Sequence, residues 1–206
     1  MDQQINALLS QAHSVVVVSH IRPDGDAIGS LLGMGLALMH AGKKVQMVLQ
    51  DGLPEKYSFL PGSDLVQRTI EASFDTLIVV DCSDLERTGV ILQGQNPPDL
   101  VIDHHKTNLA FGSLNYVEPQ AVATAAILAE KFPVWGLEVD EEVAACLLTG
   151  ILGDTIGFRT TNMSPNALRI AADLMEKGAD LATIYQKTLL SRSVAELRYW
   201  GQGLIN

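Results

Sequence analysis

Short apolar runs alternate along the chain with longer segments whose apolar positions recur at helical spacing. Because each short run consists of aliphatic or β-branched residues between polar or turn-forming ones, we interpret them as buried strands. The predicted strands are residues 15–19, 45–49, 76–80 and 100–102. Helices are predicted over residues 5–11, 27–41, 121–131, 141–152, 165–177 and 181–189, with a further helix over 193–201.

This alternation, without internal repeats or low-complexity segments, predicts an α/β fold. The hydrophobic fraction is 47% and the aromatic fraction only 5%, so the core is mainly aliphatic, as a sheet covered by helices requires. We therefore expect a doubly wound, mainly parallel, five-stranded sheet with helices on both faces. Residues 1–190 are expected to form one domain.

The net charge of −10 argues against a long duplex nucleic-acid footprint, which needs a basic surface. It does not exclude a short phosphorylated substrate, because bound metal ions change the local charge balance. The two cysteines are far apart in sequence and indicate no disulfide framework. No apolar run reaches the ~18 residues of a membrane span, and the N-terminus lacks the basic start of a signal peptide. A cytoplasmic protein with no membrane partner is expected.

Polar residues follow three of the predicted strands at the point where each strand ends. The carboxyl ends of parallel strands lie along one edge of a sheet, so residues far apart in sequence should meet there. These residues are His20, Asp24, Asp26, Asp81, Asp103, His104 and His105. Asp154 follows a helical run, so the strand argument does not place it. Considered alone, the segment 19–30 has a second interpretation, a polar strand-to-helix loop with an aspartate cap.

Clustered carboxylates repel one another, and divalent cations would relieve that repulsion. Two imidazoles and four carboxylates are too many donors for one ion, so we predict two divalent cations. The donors are oxygen and nitrogen, which favours Mn²⁺, with Mg²⁺ or Co²⁺ as alternatives. A pair of ions about 3.5–4 Å apart suits hydrolysis of a phosphate ester or anhydride. No P-loop is present, which argues against phosphoryl transfer from ATP.

Four segments in this order resemble the motifs of the DHH phosphoesterase superfamily. They are VSHIRPDGDAIGS at 18–30, VVD at 79–81, IDHH at 102–105 and GILGDT at 150–155. The nearest likeness is to the bacterial oligoribonuclease and 3′-phosphoadenosine 5′-phosphate phosphatase type, with cyclic dinucleotide phosphodiesterases as close relatives. The resemblance implies a two-metal-dependent phosphoesterase.

The resemblance also implies a role for each matched residue. His20 and Asp24 would hold the first metal, Asp26, His104 and Asp154 the second, and Asp81 would bridge them. His105 would face the substrate phosphate and donate a proton, while Asp103 would orient a histidine. Arg159 would contact substrate. Arg22 lies beside the first ligands and is a further candidate for phosphate contact, with a solvated charge as the equal alternative.

The sequence departs from the family pattern in two ways. The fourth motif often continues Asp-Thr-Gly, whereas here Ile156 separates Thr155 from Gly157. Nothing matches the C-terminal DHHA1 substrate domain, so residues 191–206 are expected to begin a connecting helix toward a domain absent from this chain. Two alternative functions therefore stand: a pyrophosphatase or polyphosphatase of the same superfamily, and a catalytically silent nucleotide-binding module. A homodimer is expected only by analogy with the family.

Overall fold

The computed structural model describes residues 1–191 together with 198, 202 and 203. Its helices are α1 (Asp2–Gln11), α2 (Gly25–His40), α3 (Thr124–Lys131), α4 (Glu141–Asp154), α5 (Pro165–Glu176) and α6 (Leu181–Tyr185). Its strands are β1 (Ser14–Val18), β2 (Lys44–Val48), β3 (Val66–Gln67), β4 (Thr76–Val80), β5 (Leu100–Asp103) and β6 (Leu114–Val117). The helix predicted over 193–201, with the connecting segment it would begin, lies outside the described residues apart from Arg198.

All six strands are parallel, in the order β3-β2-β1-β4-β5-β6. The predicted α/β fold with a doubly wound parallel sheet is confirmed, but the predicted count of five strands is wrong. Sequence pattern gave no sign of the two edge strands. β3 has only two residues, and β6 is half-buried along its whole length rather than a run of buried apolar residues.

The two faces of the sheet are covered differently. On one face Val15, Val17, Ile78 and Val80 join a large core that includes apolar residues of all six α-helices. On the other face the strand valines pack against connecting segments, including Leu92. The described α-helices thus contribute to the core of one face only, and the prediction of helices on both faces is wrong in this detail. The connection between β4 and β5, residues 81–99, carries glycines and prolines, and its helical part is one 3₁₀ turn at Glu86–Thr88.

A tertiary contact decides where α3 begins. The sequence pattern predicted a start at residue 121, but the helix starts at Thr124. There the backbone amides of Thr124 and Ala125 donate to the Asp26 carboxylate, at 2.6 and 2.9 Å. Asp26 lies in the first turn of α2, so one helix supplies the capping oxygens of another. The sequence near residue 121 contains no local signal of this.

Helices α2 and α4 approach so closely that their backbones are in contact. A Cβ atom on Gly29 would lie 2.5 Å from the Cys146 carbonyl oxygen and 2.7 Å from the Gly150 nitrogen. On Gly33 its nearest neighbour would be the end of the Leu147 side chain, at 2.7 Å, with no backbone atom among the nearest contacts. These two glycines serve helix–helix packing, whereas Gly35 lies against Met47 of β2. The close crossing sets the distance between Asp26 and Asp154.

We predict that Gly29→Ala destabilises the chain by about 1–3 kcal/mol, because the added methyl group meets rigid backbone. Gly33→Ala is the matched control. It gains the same helix propensity in the same helix, but the methyl group meets the end of a flexible side chain that can move aside. Urea unfolding of both variants measures the difference. Equal stabilities, or a larger loss for Gly33→Ala, would contradict this account of the crossing.

Candidate metal centre

The strand order reverses between β1 and β4, and parallel sheets bind ligands in the crevice at such a point. Strands β1 and β4 pair with Val18 beside Val79, so His20 and Asp81 follow at the same level. Two bonds fix this level: the Ser19 hydroxyl donates to the Val80 carbonyl at 2.8 Å, and the Asp81 amide donates to the Ile102 carbonyl at 2.9 Å. The topology therefore brings the ends of β1, β4 and β5 together.

The first group of donors consists of His20, Asp24 and Asp81. The His20 Nδ1 atom is hydrogen-bonded to the Ile21 carbonyl at 2.8 Å, which turns Nε2 into the crevice. Nε2 lies 3.8 Å from an Asp24 oxygen and 3.6 Å from an Asp81 oxygen. The other Asp24 oxygen caps α2 by accepting from the amides of Asp26 and Ala27. Asp24 is thus held by the helix terminus while one oxygen stays available.

The second group consists of Asp26, His104 and Asp154, from α2, the end of β5 and the end of α4. His104 Nε2 lies 3.8 Å from Asp26 Oδ2 and 3.6 Å from Asp154 Oδ2. Its Nδ1 faces the Ala121 carbonyl at 3.3 Å, which sets the ring orientation. Asp154, which the strand argument did not place, is therefore brought to the site by the length of α4 and its crossing with α2.

Asp81 stands between the two groups. Its Oδ2 faces His20, whereas its Oδ1 lies 3.8 Å from His104 Nε2 and accepts from the Thr124 hydroxyl at 3.0 Å. The residue has φ of 53°, a left-handed conformation that is unusual outside glycine and that aims the carboxylate into the crevice. Burial alone would raise the pKa of Asp81, but the neighbouring imidazoles outweigh it and hold the pKa below its usual range.

His105 is oriented by Asp103, which is fully buried. One Asp103 oxygen pairs with His105 Nδ1 at 2.7 Å and accepts the His104 amide at 2.9 Å. The other accepts from the Asn108 side-chain amide at 2.7 Å. The bond to Asp103 raises the pKa of His105, against a smaller opposing effect of burial. His105 Nδ1 also lies 3.7 Å from Asp81, so both histidines border the same carboxylate.

Two carboxyl groups of the site, those of Asp26 and Asp154, have pKa values above the usual range. Burial, followed by the charges of Asp81 and Asp154, raises the pKa of Asp26 well above its usual range. Burial also raises the pKa of Asp154, helped by the charges of Asp81 and Asp24 and opposed by His104. Both shifts share two causes, burial and the charges of neighbouring carboxylates in a pocket poor in cations. A divalent cation among the oxygens would offset the repulsion between these carboxylates.

A second observation, independent of the carboxylates, also indicates that this site can hold divalent cations. His20 Nε2 is buried and has no hydrogen-bond partner among the described residues. Its 3.6–3.8 Å separations from carboxylate oxygens are too long for hydrogen bonds but near the ~3.0–3.5 Å between two ligands of one ion. Cys82 supplies no thiolate, because burial raises its pKa to about 12. The donor set is therefore oxygen and nitrogen, which suits Mn²⁺ or Mg²⁺.

The two predicted arginine contacts differ in position. Arg159 lines a cleft of about 350 Å³ that Asp24 and Asp154 also line, and its Nε donates to the Ile156 carbonyl at 2.8 Å. Arg22 has φ of 54°, its amide donates to Asp51 at 2.6 Å, and its side chain is exposed. The structure thus brings Arg159 to the rim of the site and shows no contact between the Arg22 side chain and the predicted ligands.

Sequence reasoning missed three residues that border the site. Thr124 donates to both Asp26 and Asp81. Asn108 anchors Asp103, and Tyr57 lines the cleft beside Asp24. Asn108 lies five residues after Asp103, which is a weak signal that could have been noted. No local pattern marks Thr124 or Tyr57, because their places in the site arise from packing between distant segments.

Comparison with known proteins agrees with this geometry. Residues 14–151 match the DHH family, N-terminal domain. The bifunctional oligoribonuclease and PAP phosphatase NrnA of Thermus thermophilus is 37% identical over 195 residues, covering 92% of this chain and 58% of the relative. A probable manganese-dependent inorganic pyrophosphatase of Lactococcus lactis is 28% identical over 204 residues, covering 88% of this chain and 63% of the relative.

A solved structure is similar over the whole chain. The exopolyphosphatase-related protein of Bacteroides fragilis superposes with a TM-score of 0.89 at 26% identity, covering 100% of this chain and 64% of that one. This chain thus spans less than two thirds of the length of each of these three proteins. The matched residues 14–151 contain β1, β4, β5 and every predicted metal ligand except Asp154. The chain belongs to the DHH family.

Proposed function

We propose that this chain is the catalytic part of a two-metal-ion phosphoesterase that hydrolyses short oligonucleotides and nucleotide phosphates. One observation carries the proposal: the two oxygens of Asp81 face two separate groups of nitrogen and oxygen donors. A site for a single ion would need only one group. A nucleotide-binding module without catalytic activity would need neither group of metal donors, which argues against that alternative.

In this proposal each group would hold one divalent cation. His20 and Asp24 would hold the first, Asp26, His104 and Asp154 the second, and Asp81 both. Within each group the candidate ligand atoms lie within 4.8 Å of one another. Bound ions would activate a nucleophile and offset the negative charge that develops on the phosphoryl group. The name of the Lactococcus relative supports manganese as the ion.

The chain's own residues would orient the substrate and move a proton. Asp103 holds Nδ1 of His105, which leaves Nε2 as the ring nitrogen that can bond to a phosphate oxygen or give a proton to the leaving oxygen. The raised pKa of His105 keeps the ring protonated to a higher pH, as a proton donor requires. Asp103 acts through His105 and is a positioning residue. The exposed side of the His105 ring gives substrate access.

The substrate class is inferred from charge and from the relatives. The name of the Thermus relative gives two activities on short oligonucleotides and a nucleotide phosphate. The net charge of −10 disfavours longer nucleic acids, as the sequence predicted. The Lactococcus relative keeps pyrophosphate as the second candidate, because its name assigns that substrate to a protein of similar sequence.

Several expectations stay predictions. They are the domain limit at residue 190, a connecting helix beyond it, a homodimer, and a cytoplasmic location. None of the helices in the described part of the chain is long and apolar enough to span a membrane.

Metal content tests the assignment of ligands. We expect about two Mn²⁺ per chain in the purified protein after dialysis against Mn²⁺. Asp81→Asn should lower this below one, because the shared ligand loses its charge but keeps its shape. His104→Ala should lose about one ion, and His105→Ala none. Equal losses for the two histidine variants would make His105 a ligand rather than a substrate contact, and a metal-free wild type would end the proposal.

Hydrolysis tests the reaction. With Mn²⁺, we expect release of mononucleotide from a dinucleotide and of phosphate from 3′-phosphoadenosine 5′-phosphate. His105→Ala should reduce kcat by about 10²–10⁴-fold, the usual contribution of a general acid. His13→Ala, which alters an exposed histidine at the opposite end of β1, is the control and should be unchanged. Faster turnover of pyrophosphate than of the dinucleotide would favour the second candidate.

A further inference from the structure

Thr124 bonds to carboxylates of the metal centre at two points, although it is not itself a candidate ligand. Its backbone amide donates to Asp26 Oδ2 at 2.6 Å, and its hydroxyl donates to Asp81 Oδ1 at 3.0 Å. The residue is fully buried, so bulk water cannot replace either bond. Thr124 therefore links a carboxylate of the second donor group to the carboxylate that stands between the two groups.

The Thr124 hydroxyl makes this bond because its own helix has no use for it. A threonine inside a helix commonly turns its hydroxyl back to the carbonyl four residues earlier, as Thr149 does toward Ala145 in α4. Thr124 is the first residue of α3, and the residue before it, Ala123, offers no capping side chain. No turn of helix precedes Thr124, so its hydroxyl points away from the helix and reaches Asp81.

The two oxygens of Asp26 are used unequally. Oδ1 accepts from the Ala125 amide at 2.9 Å and from the Ser30 hydroxyl at 3.1 Å. Within the described residues, Oδ2 accepts one hydrogen bond, from the Thr124 amide, and it lies 3.8 Å from His104 Nε2. The carboxylate is thus fixed with Oδ1 toward its protein donors and Oδ2 toward the second donor group.

The Thr124 hydroxyl fixes the other carboxylate in a similar way. It bonds to Asp81 Oδ1, the oxygen that lies 3.8 Å from His104 Nε2, whereas Oδ2 faces His20. The terminal torsion of an aspartate has a broad energy minimum, so the carboxylate turns easily unless a hydrogen bond holds it. A carboxylate oxygen has two lone pairs, and the hydroxyl takes one, which leaves the other for an ion.

We propose that Thr124 is a positioning residue that sets the affinity of the metal centre for its second cation, through the orientation of Asp81. This role rests on the proposed two-ion phosphoesterase function. The hydroxyl bonds to the oxygen that faces the second donor group, so its loss weakens binding of the second cation. The first cation, which His20, Asp24 and the other Asp81 oxygen would hold, is affected less.

The test compares two variants that differ by one hydroxyl group, Thr124→Ser and Thr124→Ala, by calorimetric titration of the metal-free chain with Mn²⁺. Thr124→Ser keeps the donor and should bind both ions as the wild type does. Thr124→Ala should bind the second ion about 10–100-fold more weakly, the usual loss when a hydrogen-bonding partner of a ligand is removed. Thr149→Ala is the matched control and should match the wild type, because Thr149 is equally buried and its hydroxyl bonds within α4.

A second measurement separates positioning from a purely structural role. Urea unfolding of the metal-free variants gives their stabilities. If the hydroxyl served only folding, Thr124→Ala would lose stability while the ratio of its two Mn²⁺ affinities stayed at the wild-type value, and the inference would fail. If Thr124→Ala does not fold, Thr124→Val takes its place, since valine keeps the shape of threonine and lacks the hydroxyl.

The remaining outcomes separate this inference from the proposed function. Wild-type affinities for both ions in Thr124→Ala would overturn the inference and leave the two-ion centre intact. An equal loss in Thr124→Ser would also overturn it, because that variant retains the hydroxyl. A wild type that binds no Mn²⁺ would end both proposals. Two bound ions without hydrolysis of any substrate would end the phosphoesterase function alone, and the titrations would still decide the role of Thr124.

Discussion

The gathering of four carboxylates at the switch point of the sheet is the constraint on which the site depends. Asp26 and Asp81 are both buried, and like charges gathered in one crevice repel strongly when water is excluded. Hydrogen-bond donors reduce this repulsion. The backbone amides of Thr124 and Ala125 donate to Asp26, and the Thr124 hydroxyl donates to Asp81. These donors offset part of the charge, and the remainder explains why the arrangement suits cations.

The same side chains serve the fold and the site together. Asp24 caps the N-terminus of α2, and Asp26 supplies the capping oxygens for the N-terminus of α3, so two candidate ligands also stabilise helix starts. Asp154 is the last residue of α4, whose distance from α2 is set by the contact at Gly29. A change in helix packing would therefore move ligands, and a change of ligand would weaken a helix start. This coupling explains how elements far apart in sequence keep their donor atoms within a few ångströms.

Several residues with left-handed backbone conformation lie where a strand or a helix ends at the site. Asp81 directly follows β4, and Ile156 to Phe158 follow α4. In the fourth motif, the extra residue before Gly157 is accommodated by placing Ile156 at φ of 50° with its side chain half exposed. The departure from the family pattern thus changes the loop without removing Asp154 from the site. Arg159, which follows this loop, lies at the rim of the cleft.

The sequence by itself determined the fold class, the four central strands and the convergence of His20, Asp81 and His104, because parallel apolar runs must end along one edge. It did not determine the edge strands β3 and β6, which are too short or too exposed to leave an apolar run. It also did not determine the start of α3, the place of Asp154 or the cleft beside Asp24. Those depend on contacts between segments distant in sequence, such as Asp26 with Thr124 and Gly29 with Gly150, and only the packed chain brings them together.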